Sequence, residues 1–148
     1  MIEIRSFRRQ DQQRVRDLIQ QGLGEHFGWI DETANPDLDD IAATYGDEVF
    51  LVAWRGDELV GTGALVREAE GVGRIVRMSV AGEYQRRGIG TRILDRLIEA
   101  ARDRDYRRVV LETTETWDEV IAFYTRYGFG LVEHRDGDAH FVLELGKA

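Results

Sequence analysis

The segment Val80-Ala81-Gly82-Glu83-Tyr84-Gln85-Arg86-Arg87-Gly88-Ile89-Gly90-Thr91 sets Gly88 and Gly90 with two arginines at the mouth of an amphipathic stretch. An apolar run ends at Val80, a short Gly/Arg turn follows, and a helix is predicted to start inside that turn. The free N–H groups of a first helical turn, with the positive end of the helix dipole, attract an anion. Gly88 and Gly90 let the backbone approach a phosphate with no Cβ in the way. Arg86 and Arg87 add charge that suits a pyrophosphate. The competing reading is a plain tight turn with solvated arginines. The dinucleotide pattern G-x-G-x-x-G is not completed, because Leu94 and its neighbours replace the third glycine, and G-x-x-x-x-G-K-[ST] is absent. What remains is an anionic ligand with a phosphate group that is neither a Rossmann cofactor nor a Walker-type triphosphate.

Other reactive residue types narrow the chemistry further. Cysteine is absent, which excludes disulfides, thiolate metal ligands and a cysteine nucleophile. His26, His134 and His140 lack the H-x-x-x-H spacing of a metal pair. His134 and His140 flank the Asp136-Gly137 turn and are expected near one another, but no metal site is predicted there. Arg102-Asp103-Arg104-Asp105-Tyr106-Arg107-Arg108 alternates in sign and reads as a solvated surface.

The elements that must position these residues follow from periodicity. Ile2 and Ile4 alternate with polar residues, giving a strand over 2–7. Val15, Leu18, Ile19 and Leu23 set a helix from about Asp11 to Leu23, and residues 24–34 read as a loop. Asn35-Pro36 predicts a second helix, carrying Leu38, Ile41, Ala42 and Tyr45 on one face and ending at Gly46. Val49–Trp54, Leu59–Val66 and Ile75–Val80 read as strands, the first of them buried on both faces. Gly88–Arg104 is the cleanest amphipathic helix, and Val109–Leu111 is a further buried strand. Thr116-x-x-Glu119 has the form of a capping box for a helix to Tyr127, and Asp136-Gly137 joins two last strands as a hairpin. The order is β-α-α-β-β-β-α-β-α-β-β. A crossover over residues 75–111 makes two central strands parallel, so an α/β (α+β) fold is expected, with one mixed, mostly antiparallel sheet and helices on both faces.

Composition bounds the setting. The chain has 148 residues, 43% hydrophobic and 32% charged, which suits one globular domain over 1–148. Its formal charge of −8 opposes a nucleic-acid role, since phosphate affinity comes mainly from Lys and Arg. No apolar run has the length of a membrane span, and Met1–Arg5 has no signal-peptide pattern. A soluble, cytoplasmic protein is the expectation.

Two stretches carry a family resemblance. Gln85-Arg86-Arg87-Gly88-Ile89-Gly90 resembles the (Gln/Arg)-x-x-Gly-x-(Gly/Ala) pyrophosphate loop of the GNAT superfamily of N-acetyltransferases. Phe123-Tyr124-Thr125-Arg126-Tyr127-Gly128-Phe129 is similar to that family's Phe-Tyr-x-x-x-Gly-Phe signature, on the helix after the fifth strand. The strand order agrees over nearly the whole chain. The resemblance implies acetyl-CoA as cosubstrate, bound in a V-shaped opening between the fourth and fifth strands, with no metal. Amides of residues 86–91, from Arg86 through Gly88, Ile89 and Gly90 to Thr91, would hold the pyrophosphate, with Gln85 leading that loop. Backbone groups of Met78 and Val80 would hold the pantetheine arm.

By the same resemblance Tyr124 occupies the position of the general acid that protonates the departing thiolate. The alternative is a core aromatic, since Trp117, Val120, Ile121 and Tyr124 share one helix face. Glu112, in Leu111-Glu112-Thr113, corresponds to a glutamate that acts in some members as base on the acceptor amine. Its alternative is a structural ion pair with an arginine such as Arg77. Where the family often has Asn seven residues before the tyrosine, this chain has Trp117, which puts one polar contact to the cofactor arm in doubt. Glu25, His26, Trp29, Asp31 and Glu32 fall in the segment that lines the acceptor side in this family. An acidic and aromatic segment suits a cationic amine, though an ordinary solvated loop would look the same. The expectation is acetyl transfer to a small-molecule or peptide amine by direct attack in a ternary complex, with no nucleic acid or membrane partner and self-association as a homodimer left open. Without cysteine no acetyl-cysteine intermediate can form. The rival reading is a non-catalytic acyl-CoA-binding sensor or scaffold.

Overall fold

In the computed structural model, residues 1–27, 36–114 and 117–146 are described, the side chains of 23–27 excepted. The expectations placed on the side chains of Glu25 and His26, and on Trp29, Asp31, Glu32, Asn35 and Thr116, lie outside the described residues.

Alternation at Ile2 and Ile4 produces β1 (Ile2–Ser6), with Ile4 buried. It lies antiparallel to β2 (Val49–Arg55), where every residue from Phe50 to Trp54 is buried. β2 pairs antiparallel with β3 (Glu58–Ala69), and β3 with β4 (Val72–Val80). A crossover through α3 (Ile89–Asp103) then delivers β5 (Arg108–Thr114) parallel to β4. After α4 (Asp118–Tyr127) come β6 (Gly130–Arg135) and β7 (Asp138–Glu144), joined at Asp136 and Gly137. Both turn residues have positive φ, 54° and 84°, as a two-residue type I′ hairpin requires. β7 inserts between β5 and β6, giving one seven-stranded sheet in the order β1-β2-β3-β4-β5-β7-β6. This is the mixed, mostly antiparallel sheet that the pattern predicts.

Two apolar layers flank the sheet. On one face Val15 and Ile19 of α1 (Gln12–Phe27) and Ile41 of α2 (Ile41–Thr44) pack with Leu38 on Phe50, Val52 and Ala64. On the other, the stripe Ile93, Leu94, Leu97 and Ile98 of α3 covers Leu65, Ile75 and Val109, and Tyr124 of α4 joins Leu111 and Phe141. Gly63 permits this approach: a Cβ there would fall 2.6 Å from Met78 Sδ and 2.7 Å from Ile93 Cγ2.

The boundaries differ from the sequence pattern in instructive places. α1 continues past Leu23 to Phe27, since a glycine inside a helix costs only about 1 kcal/mol, well within what a packed face supplies. The second helix does not run on from Pro36. A 3-10 turn over Pro36–Leu38 is followed by the single turn of α2, capped by Asp40, whose carboxylate accepts from the Ala43 amide at 3.1 Å. Gln12 is the physical reason. Its Nε2 donates to the Leu38 carbonyl at 2.6 Å and its Oε1 accepts from the Ile41 amide at 2.9 Å, taking the groups a continuous helix would pair. At α4 the N-cap position is Trp117, with no side-chain cap, and the Glu119 carboxylate pairs with Arg86. His134 and His140 are not neighbours either. The ladder sets Glu133 opposite His140 and His134 opposite Ala139, so the two imidazoles leave opposite faces of the sheet.

Candidate functional site

β4 and β5 pair only at their first residues, Val72↔Arg108, Gly73↔Val109 and Arg74↔Val110. Beyond Val110 their ladder stops while both strands continue, β4 to Val80 and β5 to Thr114, so a gap opens between them toward their C-terminal ends. β4 also carries a bulge. Thr62 pairs with Ser79 and Ala64 with Val76, so Arg77 and Met78 together face Gly63. Arg77 sits in the left-handed region, φ 57°, and the buried Thr62 hydroxyl donates to its carbonyl at 2.8 Å. The bulge turns the main chain of Met78 and Val80 along the gap. One lone pair of the Val80 carbonyl is taken by Gln85 Nε2, at 3.1 Å.

The turn after β4 is anchored from below. Tyr84 is buried, donates its hydroxyl proton to Glu58 at 2.8 Å, and accepts from Arg55 at 3.2 Å. The guanidinium of Arg87 lies over the same ring, 5.4 Å from its centre. Arg86 and Gly88 both have positive φ, 64° and 83°, and Ile89, 3% exposed, pins the helix start into the core. The Arg92 amide makes the bond back to Gly88, at 3.1 Å, so the amides before it, from Gly88 to Thr91, are the free donors of the first turn. A Cβ on Gly90 would lie 3.4 Å from Phe123 Cζ and 3.8 Å from Val80 Cγ2. The glycine face of the turn therefore adjoins both β4 and α4. These groups fit a phosphate-bearing ligand whose narrow arm continues into the gap. Arg86 is held by Glu119 in a pair whose side chains are 79% and 75% exposed, an arrangement weak enough to exchange partners.

Tyr124 and Glu112 lie on opposite sides of the sheet. Tyr124 is 6% exposed, edge-on to Phe123 and Phe129 at 5.1 and 5.7 Å between ring centres. Among the described residues its hydroxyl has no hydrogen-bond partner, and burial pushes its pKa well above the ordinary phenol range. Leu111 points into the same core as Tyr124, so Glu112, the next residue on β5, points to the other face. There its carboxylate pairs with Arg74, whose Nε donates at 3.2 Å. The expected partner Arg77 is engaged instead with Asp37, because it occupies the bulge and leaves the strand's regular alternation. Glu112 opens on a groove of about 410 Å³ lined also by Arg74, Val110, His140 and Val142.

The structure thus gathers Val80, Gln85 and Gly90 with Phe123 of α4 at the C-terminal end of β4, while Tyr124 lies in the core layer on that side of the sheet and Glu112 on the other face. Sequence reasoning missed Arg74, Tyr84 and the Asp37–Arg77 pair. Only the even spacing of Arg74 and Val76 on one strand could have signalled that Arg74 shares a face with Glu112. Among the described residues no three His, Asp or Glu gather as a metal group, and no helix is long and apolar enough to cross a membrane.

Comparison with known proteins gives this geometry a context. The model of the acetyltransferase (GNAT) family matches residues 13–129. The uncharacterized N-acetyltransferase YsnE of Bacillus subtilis is 35% identical over 91 residues, which are 60% of each chain. The chain therefore spans less than two-thirds of that relative's length. A GNAT-family acetyltransferase structure from Staphylococcus aureus Mu50 superposes with a TM-score of 0.90, covering 98% of this chain and 99% of the other at 22% identity. The PaiA N-acetyltransferase of Thermoplasma acidophilum, solved in complex with coenzyme A, superposes at 0.85, covering 97% and 99% at 17% identity. The two structural likenesses are likenesses of fold.

Proposed function

The chain belongs to the acetyltransferase (GNAT) family, and on that premise we propose that it transfers the acetyl group of acetyl-CoA to a primary amine by direct attack. The observation that carries the reading is the opening between β4 and β5, whose end at Val80 meets the first turn of α3 at Gly90. In this reading the amides from Arg86 to Thr91 take the pyrophosphate, helped by Arg86 and Arg87. The pantetheine arm lies along β4 and hydrogen-bonds the main chain of Met78 and Val80 as an added strand would. Gln85 keeps the turn closed onto Val80.

The amine enters from the Glu112 face. Its ammonium form gives a proton to Glu112, directly or through water, because only the free lone pair can attack the thioester carbonyl. The carbon–nitrogen bond forms, the carbon–sulfur bond breaks, the thiolate takes the Tyr124 proton from the opposite side of the sheet, and the second proton of the attacking nitrogen leaves to water, from which Tyr124 is reprotonated. Arg74 fixes the carboxylate's direction, a positioning contribution that a solvent-exposed glutamate would lack. Burial raises the Tyr124 pKa, so the phenol gives up its proton only as negative charge builds on the departing sulfur.

The test is thiol release from acetyl-CoA against amines, polyamines, amino acids and peptides with free N-termini. Amine-dependent release with at least one class supports the reading. Tight coenzyme A binding with no release for any acceptor replaces it with the acyl-CoA sensor.

A further inference from the structure

Two side chains from other elements, Arg77 of β4 and Tyr45 at the end of α2, converge on the carboxylate of Asp37. Arg77 Nε donates to its Oδ2 at 2.9 Å and Arg77 Nη2 to its Oδ1 at 2.5 Å, a two-pronged fork. The Tyr45 hydroxyl donates to Oδ2 at 2.7 Å. The Arg77 and Asp37 side chains are only 19% and 24% exposed. Burial works against the Asp37 carboxylate, but the bonds from Arg77 and Tyr45 outweigh it and hold its pKa below the usual range.

Arg77 is also the left-handed residue of the β4 bulge. An arginine enters that region only where its surroundings over-determine it. Two contacts do so here. The Thr62 hydroxyl holds its carbonyl from within the sheet, and the Asp37 fork holds its side chain from above. The residue after Arg77 is Met78, with Val80 following, and these carry the main chain that faces the β4–β5 gap. We infer that Asp37 is a positioning residue that, through Arg77, sets the β4 bulge and so the pantetheine end of the cofactor site. The inference rests on the cofactor placement given under the proposed function. The pyrophosphate end stands apart, since the turn there is held by Tyr84 with Glu58 and Arg55, none of which touches Asp37. The two ends of one cofactor should therefore respond separately.

That separation supplies the test. Titration calorimetry is run with acetyl-CoA and with 3′-phosphoadenosine 5′-diphosphate, which keeps the phosphates and lacks the pantetheine arm. Asp37→Asn is expected to weaken acetyl-CoA about tenfold or more, since a forked charge pair becomes a single neutral contact. The fragment should bind within about twofold of the parent protein. Arg77→Lys keeps the charge and loses the fork, and should show the same split. It stands in should Asp37→Asn not fold. Equal losses for both probes in both variants would mean general destabilisation and overturn the inference. So would unchanged acetyl-CoA affinity. If the parent protein binds neither probe, the cofactor placement itself fails and takes the inference with it. Parent binding of both probes with an unaffected Asp37→Asn removes the inference alone.

Discussion

Tyr124 and Glu112 differ in what the fold does to them, and single substitutions can separate their roles. Tyr124 stands in an aromatic cluster with Phe123, Phe129 and Phe141, so Tyr124→Phe keeps the packing and removes only the hydroxyl. Turnover is expected to fall roughly 10–10³-fold with Michaelis constants little changed, the mark of an interaction made mainly in the transition state. A fully active variant would make Tyr124 a packing residue, with solvent protonating the thiolate. Glu112→Gln should hurt most near neutral pH. Its defect should shrink toward roughly pH 9–10, where free alkylamine exists without a base. The Tyr124→Phe defect should gain nothing from high pH, which supplies no acid. Turnover of both variants from about pH 6.5 to 9.5 decides. A Glu112→Gln defect constant over that range assigns the carboxylate to its pair with Arg74 alone.

At the scale of elements, the end of β4, the start of α3 and the middle of α4 meet at Gly90, where a Cβ would touch Phe123 and Val80 at ordinary contact distances. A longer acidic side chain should fit the fold and oppose the ligand. Gly90→Glu is expected to abolish measurable coenzyme A binding by calorimetry while circular dichroism and the melting temperature stay close to the parent. Retained affinity would remove the phosphate-turn assignment. The order of elements was legible because each carries its own local signal. Ile93, Leu94, Leu97 and Ile98 share a helical stripe, and Asp136-Gly137 suits only a tight hairpin. The turn at Gly88 was legible for the same reason, since its chemistry is local. Side-chain partnerships across the sheet were not. Whether Glu112 meets Arg74 or Arg77 depends on a bulge opposite Gly63, and nothing in the spacing of β4 announces an extra residue. The interruption before α2 was hidden likewise, because it is made by Gln12, distant in sequence and polar.

Across the whole molecule, phenols that are buried or half-buried set how the fold responds to alkali. Tyr45 is pushed up to about 12, by burial first and by Asp37 second. Tyr124 is raised by burial, and Tyr127 by burial and by its hydrogen bond to Asp95, at 2.7 Å. In the unfolded chain these groups titrate near pH 10. A folded pKa above the unfolded value gives stability that is whole below about pH 10 and is lost as pH rises through the folded value. The acid limb has the opposite sign. For Asp11 and Asp37, burial is outweighed by the bonds from Arg5 and Arg77, and both carboxyls fall below their usual range. Their stability is present above about pH 4 and drains as pH drops through the lower folded values. The melting temperature should thus form a plateau between these limits and fall steeply above about pH 10. Tyr45→Phe should remove part of the alkaline decline and none of the acid one beyond what Asp37 loses as its hydrogen-bond acceptor role ends. A melting temperature that holds level from about pH 10 to 12 would sink this account of the three phenols.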